Sequence, residues 1–208
     1  MANPEARDID TREVVLEAAK SEFLQKGFRG ASMRNIAGKV GISAAALYWH
    51  FENKEALFDA LVEPTVSALQ RYGETLEQLD YDVLKTSSNE LDAIWNSGFY
   101  EFLLDFVYAN LSTFRLLITA SGGTKYEHFL EDFVRLETES TLAYLQTAAE
   151  KGLPVNLVSK EELTIFMNLY VDSMLEPIRL ELSKEEAGAF LDHHKTFFVA
   201  AFQSYLNL

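Results

Sequence analysis

Residues 32–51 read Ser-Met-Arg-Asn-Ile-Ala-Gly-Lys-Val-Gly-Ile-Ser-Ala-Ala-Ala-Leu-Tyr-Trp-His-Phe, a sequence that spells two short helices on either side of a turn. Ser32 is placed to cap the first helix, since its hydroxyl can accept from an otherwise unpaired backbone N–H. Ile36, Ala37 and Val40 then recur at helical spacing on one side. Gly41 falls where the chain must turn sharply, which suits a residue without a side chain. Ser43 caps the second helix, and Leu47 and Phe51, four apart, face back towards the first. Two helices joined by a short glycine-containing turn form the helix-turn-helix pattern, whose second helix enters the DNA major groove. The stretch points to a DNA-binding protein.

Outwards from it, helix follows helix. Upstream, Asp10 is expected to cap a first helix, with Glu13 completing a capping box. Val15, Leu16, Ala19 and Phe23 supply its buried face, and Gly27 ends it. Downstream, Asn53 caps a fourth helix with Lys54 and Glu55 in its first turn; it should run to about residue 78 and bend at Pro64. Later helices are predicted over 87–110, 124–151, 159–182 and 183–206, with a short one over 111–119. Gly122-Gly123 and Gly152–Pro154 are the clearest breaks. No segment reads as a strand, and no internal repeat appears. The predicted fold class is all-α: an N-terminal three-helix domain with the helix-turn-helix over 1–55, then a larger helical domain over 56–208.

The net charge of −14 sits awkwardly with DNA until the chain is divided. Residues 1–60 hold eight Lys and Arg against nine Asp and Glu, whereas residues 61–208 hold ten against twenty-three. Within 26–54, Lys26, Arg29, Arg34, Lys39 and Lys54 are opposed only by Glu52, a local excess of positive charge suited to phosphate. Charge alone fits a solvated mixed surface equally well; the motif gives the patch its meaning.

Composition narrows the alternatives. The absence of cysteine excludes disulfides and thiolate chemistry and is compatible with the cytoplasm. Asp105 interrupts the longest apolar run, so no membrane span and no membrane partner are expected. Glu5, Asp8 and Asp10 precede any apolar stretch, so no secretory signal is visible. No Gly-rich phosphate loop or His-Glu-x-x-His metal motif occurs. His128, Glu131 and Asp132 share a helical spacing but suit a solvated face better than a metal. No catalytic residue, metal or cofactor is expected, and the chain does not read as an enzyme.

From about Thr11 to Leu61 the chain resembles the N-terminal domain of the TetR family of transcriptional regulators. The resemblance rests on Phe23, Gly27, Phe28, Ser32, Ile36, Ala37, Val40, Gly41, Ser43, Leu47, Tyr48, His50, Phe51, Lys54, Glu55 and Leu57 at fixed gaps. One departure is Ala45, where the family often has glycine. The resemblance implies a dimeric, ligand-responsive regulator of double-stranded DNA, by default a repressor on a palindromic operator. By position it implies backbone contacts from Ser32, Ser43, Tyr48 and Lys54, and base-edge contacts from Arg34, Ala44, Ala45, Ala46, Trp49 and His50. Tyr48 fits a structural role equally well. Alanines offer a base no hydrogen bond but can touch the thymine methyl group, and Arg34 can make a bidentate contact to guanine worth about 1–3 kcal/mol. One critical G·C pair per half-site follows.

The C-terminal part carries two apolar signals. Trp95, Phe99, Phe102, Leu103 and Phe106 share one face of a helix opposite Glu101 and Asp105. They fit an aromatic core or the lining of an apolar pocket; the resemblance implies the pocket, with Trp95, Phe99, Phe102, Phe106 and Tyr126 as candidates for a small-molecule effector of unknown identity. In the last two helices, Leu163, Met167, Tyr170 and Met174 form one stripe, and Phe190, His194, Phe197, Ala201 and Tyr205 another. The final helix is expected to expose Phe198 and Phe202 as well, with Ala187 and Ala201 admitting a close partner helix. In TetR-like proteins the last two helices of two subunits build a four-helix interface. The implied homodimer contacts are Met167, Tyr170, Met174, Phe190, His194, Phe197, Ala201 and Tyr205, with His194 an interface histidine rather than a metal ligand.

Overall fold

A computed structural model of the chain describes residues 4–85 and 98–207. They form α1 (Pro4–Gly30), α2 (Met33–Lys39), α3 (Ala44–His50), α4 (Lys54–Lys85), α5 (Phe99–Ala109), α6 (Leu111–Arg115), a π-helical turn (Leu116–Ala120), α7 (Phe129–Glu150), α8 (Lys160–Arg179) and α9 (Lys184–Leu206). No strand occurs among the described residues, as the all-α reading expects.

The chain condenses into two compact units, each discontinuous in sequence. The first takes the residues up to Ala68 together with Asn110–Phe129; the second takes Leu69–Ala109 together with Leu130 onwards. The division at 55/56 follows the motif, whereas the first unit follows its core. Val15, Ala19 and Phe23 of α1, Ile36 of α2, Leu47 of α3, and Leu57, Phe58 and Val62 of α4 are sealed together with Leu116, Leu117 and Ala120 of the π-helical turn. Phe23, Phe28 and Phe58 interlock there, with ring centroids 5.1–5.9 Å apart, an arrangement that adds specific ring contacts to burial.

Several helix ends differ from expectation. α1 begins at Pro4, so Asp10 lies inside it and does not cap it; proline is tolerated in a first helical turn because its missing N–H has no partner there. Its helical dihedrals break at Gly27 (φ 66°), where the sequence places the end. Ser32 is extended, but its hydroxyl makes no capping bond; α2 starts on the backbone bond from Ile36 N–H to Ser32 O, 3.0 Å. Ser43 does cap α3, accepting from Ala46 N–H at 3.0 Å, and Asn53 Oδ1 accepts from Ala56 N–H at 2.7 Å. α4 continues through Pro64 to Lys85 as one helix, since neither glycine nor proline follows Gly73 within it. α7 starts at Phe129 rather than 124 because Thr124 folds the preceding residues into turns. Its hydroxyl donates to Ser121 O (2.7 Å) and accepts from Tyr126 N–H (3.0 Å), a local bond that competes with helix formation.

In the second unit, α5 packs on α9. Tyr108 Oη donates to Leu182 O at 2.9 Å, Lys184 pairs with Asp105 at 2.9 Å, and Gly188 leaves room for the Leu104 side chain. Ser159 caps α8, and Ser183 with Glu186 forms a complete capping box on α9. Phe198 and Phe202, expected on an outer face, are buried. They share a helical face with Leu191, His194 and Leu206 and meet the Tyr170 ring at 5.2 and 5.8 Å. Ala187 is likewise wholly buried within the subunit.

Candidate nucleic-acid interface

The recognition helix α3 is held from one side only. Leu47 and Phe51 are buried, and Gly41, at φ +73°, makes the turn that brings α3 back onto α2. The opposite face stands clear: Tyr48 is 51% and Trp49 77% exposed. Ser43 and Ala45 are also exposed, and Ala44, Ala46 and His50 half-buried. Trp49 meets His50 edge-on, with centroids 5.2 Å apart. α2 presents Arg34 to solvent, whereas Ser32 is half-buried. An exposed indole beside an exposed phenol is unusual on a water-facing helix, and both carry polar tips suited to a partly polar partner.

The basic residues are disposed differently from their simple count. Glu22 is wholly buried on α1 and gathers Lys26 Nζ at 2.7 Å and Lys39 Nζ at 2.7 Å, with Asn35 Nδ2 at 3.3 Å. The lysine hydrogen bonds outweigh burial and hold its carboxyl at about 2. Arg29 faces Glu127 at 3.3 Å. Lys54 Nζ donates to three backbone carbonyls, of Phe28, Arg29 and Ala31. Of the five cations in the patch, Arg34 alone faces solvent with no acidic or carbonyl partner among the described residues. Glu22 escaped sequence reasoning, although Val15, Ala19, Glu22 and Phe23 share one helical face and an acid on such a stripe signals a buried pair.

The candidate effector residues fall in different places. Trp95 lies outside the described residues, as does the side chain of Phe99, which opens α5. Phe102 stacks on Tyr72 and on Phe106 in the second unit. Tyr126 belongs to the first unit, where its hydroxyl donates to the Asp59 carboxylate beside Lys125. Burial, then Asp59, pushes that hydroxyl up to about 12.

The candidate dimer residues divide by burial. Met167, Tyr170, Met174 and His194 are buried within the subunit, Phe190 and Tyr205 half-buried, and Phe197 and Ala201 exposed. Tyr170 and His194 join a buried polar chain. His194 Nε2 lies 3.3 Å from Tyr170 O and 3.0 Å from Ser173 Oγ. A carbonyl only accepts, so Nε2 carries the proton and Nδ1 accepts from Tyr100 Oη at 3.4 Å. Missed in the sequence were Ile165, Phe166 and Leu169, all exposed on α8; the four-residue spacing of Ile165 and Leu169 was the available signal. Among the described residues no group of three or more His, Cys, Asp or Glu gathers as for a metal, and no single helix is long and apolar enough to cross a membrane.

A helix-turn-helix with an outward-facing second helix, set in an all-α chain, defines a helix-turn-helix DNA-binding protein. Residues 15–61 match the family described as bacterial regulatory proteins, tetR family. Over 74 residues the chain is 35% identical to the probable HTH-type transcriptional regulator ArpR of Pseudomonas putida, covering 34% of this chain and 35% of that one. Over 82 residues it is 37% identical to the HTH-type transcriptional regulator UidR of Escherichia coli K12, covering 39% and 42%. The chain thus aligns with well under half the length of these relatives, which are regulators by name and not enzymes. The ketosteroid transcriptional regulator KstR2 of Mycobacterium tuberculosis shares the fold, with a TM-score of 0.54 over 89% of this chain and 93% of that one, at 18% identity. Through its N-terminal domain the chain belongs to the TetR family.

Proposed function

We propose that the protein is a cytoplasmic transcriptional repressor that binds a two-fold symmetric operator as a homodimer and is released by a small apolar effector. The observation that carries this reading is α3, with Leu47 and Phe51 anchored and Tyr48 and Trp49 turned outwards. In this reading residues 1–55 bind DNA and residues 56–208 bind effector and partner. Arg34 contacts a guanine, Ala44, Ala45 and Ala46 touch thymine methyls, and Trp49 and His50 approach base edges. Ser32, Ser43 and Tyr48 hold the backbone, Ser43 at a helix start where backbone N–H groups favour an anion. With few side chains able to hydrogen-bond bases, sequence-dependent DNA shape carries more of the specificity.

Dimerisation would bring two copies of α3 to successive major-groove faces about 34–36 Å apart. The exposed apolar side chains of α8 and α9, Ile165, Phe166, Leu169, Phe197 and Ala201, are the surface available for it. The effector works through α4, one helix whose residues are divided between the two units and which carries Leu57 and Leu61 against the helix-turn-helix core. An effector shifts DNA binding only by its difference in affinity for two shapes of the protein, and the shift is reciprocal.

The test is a selection of duplexes from random sequence, followed by titration at two salt concentrations with tryptophan emission as a second readout. A palindromic site with a fixed G·C pair in each half, bound more weakly in higher salt, supports the reading. Equal binding to all duplexes overturns it, and several fixed G·C pairs beneath the alanine run overturn the proposed division of base contacts.

A further inference from the structure

Lys54 opens α4, yet its ammonium does not face outwards. Nζ lies 2.7 Å from Phe28 O, 3.0 Å from Ala31 O and 3.4 Å from Arg29 O, and 4.5 Å over the Phe28 ring. An ammonium has three donors and no acceptor, so these carbonyls occupy all of it. They belong to the end of α1, where carbonyls lack intrahelical partners and where positive charge is favoured by the helix dipole. The bond joins two points of the chain, Ala31 and Lys54, between which lie the whole of α2 and α3. Lys54 therefore closes the loop that contains the helix-turn-helix.

We propose that Lys54 is a positioning residue for DNA recognition, which fixes the frame of α2 and α3 by gathering the carbonyls of α1, and that it does not bind phosphate. This role rests on the DNA-binding reading above. The neighbouring cations follow the same rule, since Lys26 and Lys39 share Glu22 and Arg29 faces Glu127.

The experiment compares wild type, Lys54→Met, Lys54→Arg and Arg34→Gln on the selected duplex and on an unrelated duplex of equal length. Each protein is titrated over a range of salt, at a temperature where circular dichroism shows it folded. A lost phosphate contact lowers the slope of log affinity against log salt by about 0.9. Lys54→Met should lower affinity for the selected duplex at least tenfold, change that for the unrelated duplex less than twofold, and leave the slope as in wild type. Lys54→Arg should fail to rescue, because a planar guanidinium does not gather three converging carbonyls as an ammonium does. Arg34→Gln should lower the slope, showing that the assay detects a true contact. A reduced slope in Lys54→Met, full activity in Lys54→Arg, or wild-type affinity in Lys54→Met overturns the proposal. Should Lys54→Met fail to fold, the wild-type ammonium signal in nitrogen-15 NMR decides: it should be protected in the free protein and stay unmoved when the duplex is added, and a shift overturns the role. If wild type prefers no duplex, the DNA-binding reading falls first and this role with it.

Discussion

Two buried side chains couple this fold to pH. Glu22 joins α1 to α2 through Lys39, and its lysine hydrogen bonds lower its carboxyl from an ordinary 4.5 to about 2. As pH falls, the unfolded chain takes up this proton first, so the stability Glu22 confers is complete above about 4.5 and is lost as pH falls towards 2. Glu22→Gln should cost about 2 kcal/mol at pH 7, the scale of hydrogen bonds to a charged group. The difference from wild type should shrink between pH 4.5 and 2 in urea titrations; a constant difference would refute the assignment. His194 works in the adjoining range. Burial pushes its imidazole below the usual 6.5, partly opposed by its bond to Tyr170 O. The unfolded histidine therefore charges first, and stability should decline as pH falls below about 6.5. His194→Gln should flatten that part of the pH profile, measured on the same titrations.

Among the elements, α3 depends on two local devices whose loss can be separated. Ser43 caps the helix by accepting from Ala46 N–H, and Ser43→Ala should cost about 1 kcal/mol. Gly41 sits at φ +73° with nothing within 4 Å of an added Cβ, so Gly41→Ala should cost about 1–2 kcal/mol from backbone strain alone. Thermal melts measure both; a neutral Gly41→Ala would show that the turn relaxes. These devices were legible in the sequence because caps and turns act within four residues. The start of α7 was not, because Thr124 makes turns through hydrogen bonds whose choice over a helix depends on Ser121 and Tyr126.

For the whole molecule, the proposed dimer makes the sharpest demand. Ile165 and Phe197 are 68% and 66% exposed, so a charge at either position leaves the subunit's own core intact. Ile165→Glu and Phe197→Glu should each shift the protein from dimer to monomer in sedimentation equilibrium, with unchanged helicity and at least tenfold weaker operator binding. A dimer in both variants would move the interface elsewhere. The sequence found that α8 and α9 carry excess apolar width. It placed Phe198 and Phe202 outside, because a helix with two apolar faces does not itself say which one the rest of the subunit covers.

By itself the sequence determined the all-α class, the helix-turn-helix and the anchoring of α3 by Leu47 and Phe51. Each rests on spacing within one or two helical turns, where backbone geometry fixes which residues meet. Only the tertiary structure decided what the long-range partners do. It turned Lys26 and Lys39 onto Glu22, Arg29 onto Glu127 and Lys54 onto the end of α1, and so removed most of the positive patch that counting had found. It also drew Asn110–Phe129 into the core of the first unit. A cation's charge is written in its residue type, but whether that charge faces water or a buried acceptor depends on atoms tens of residues away.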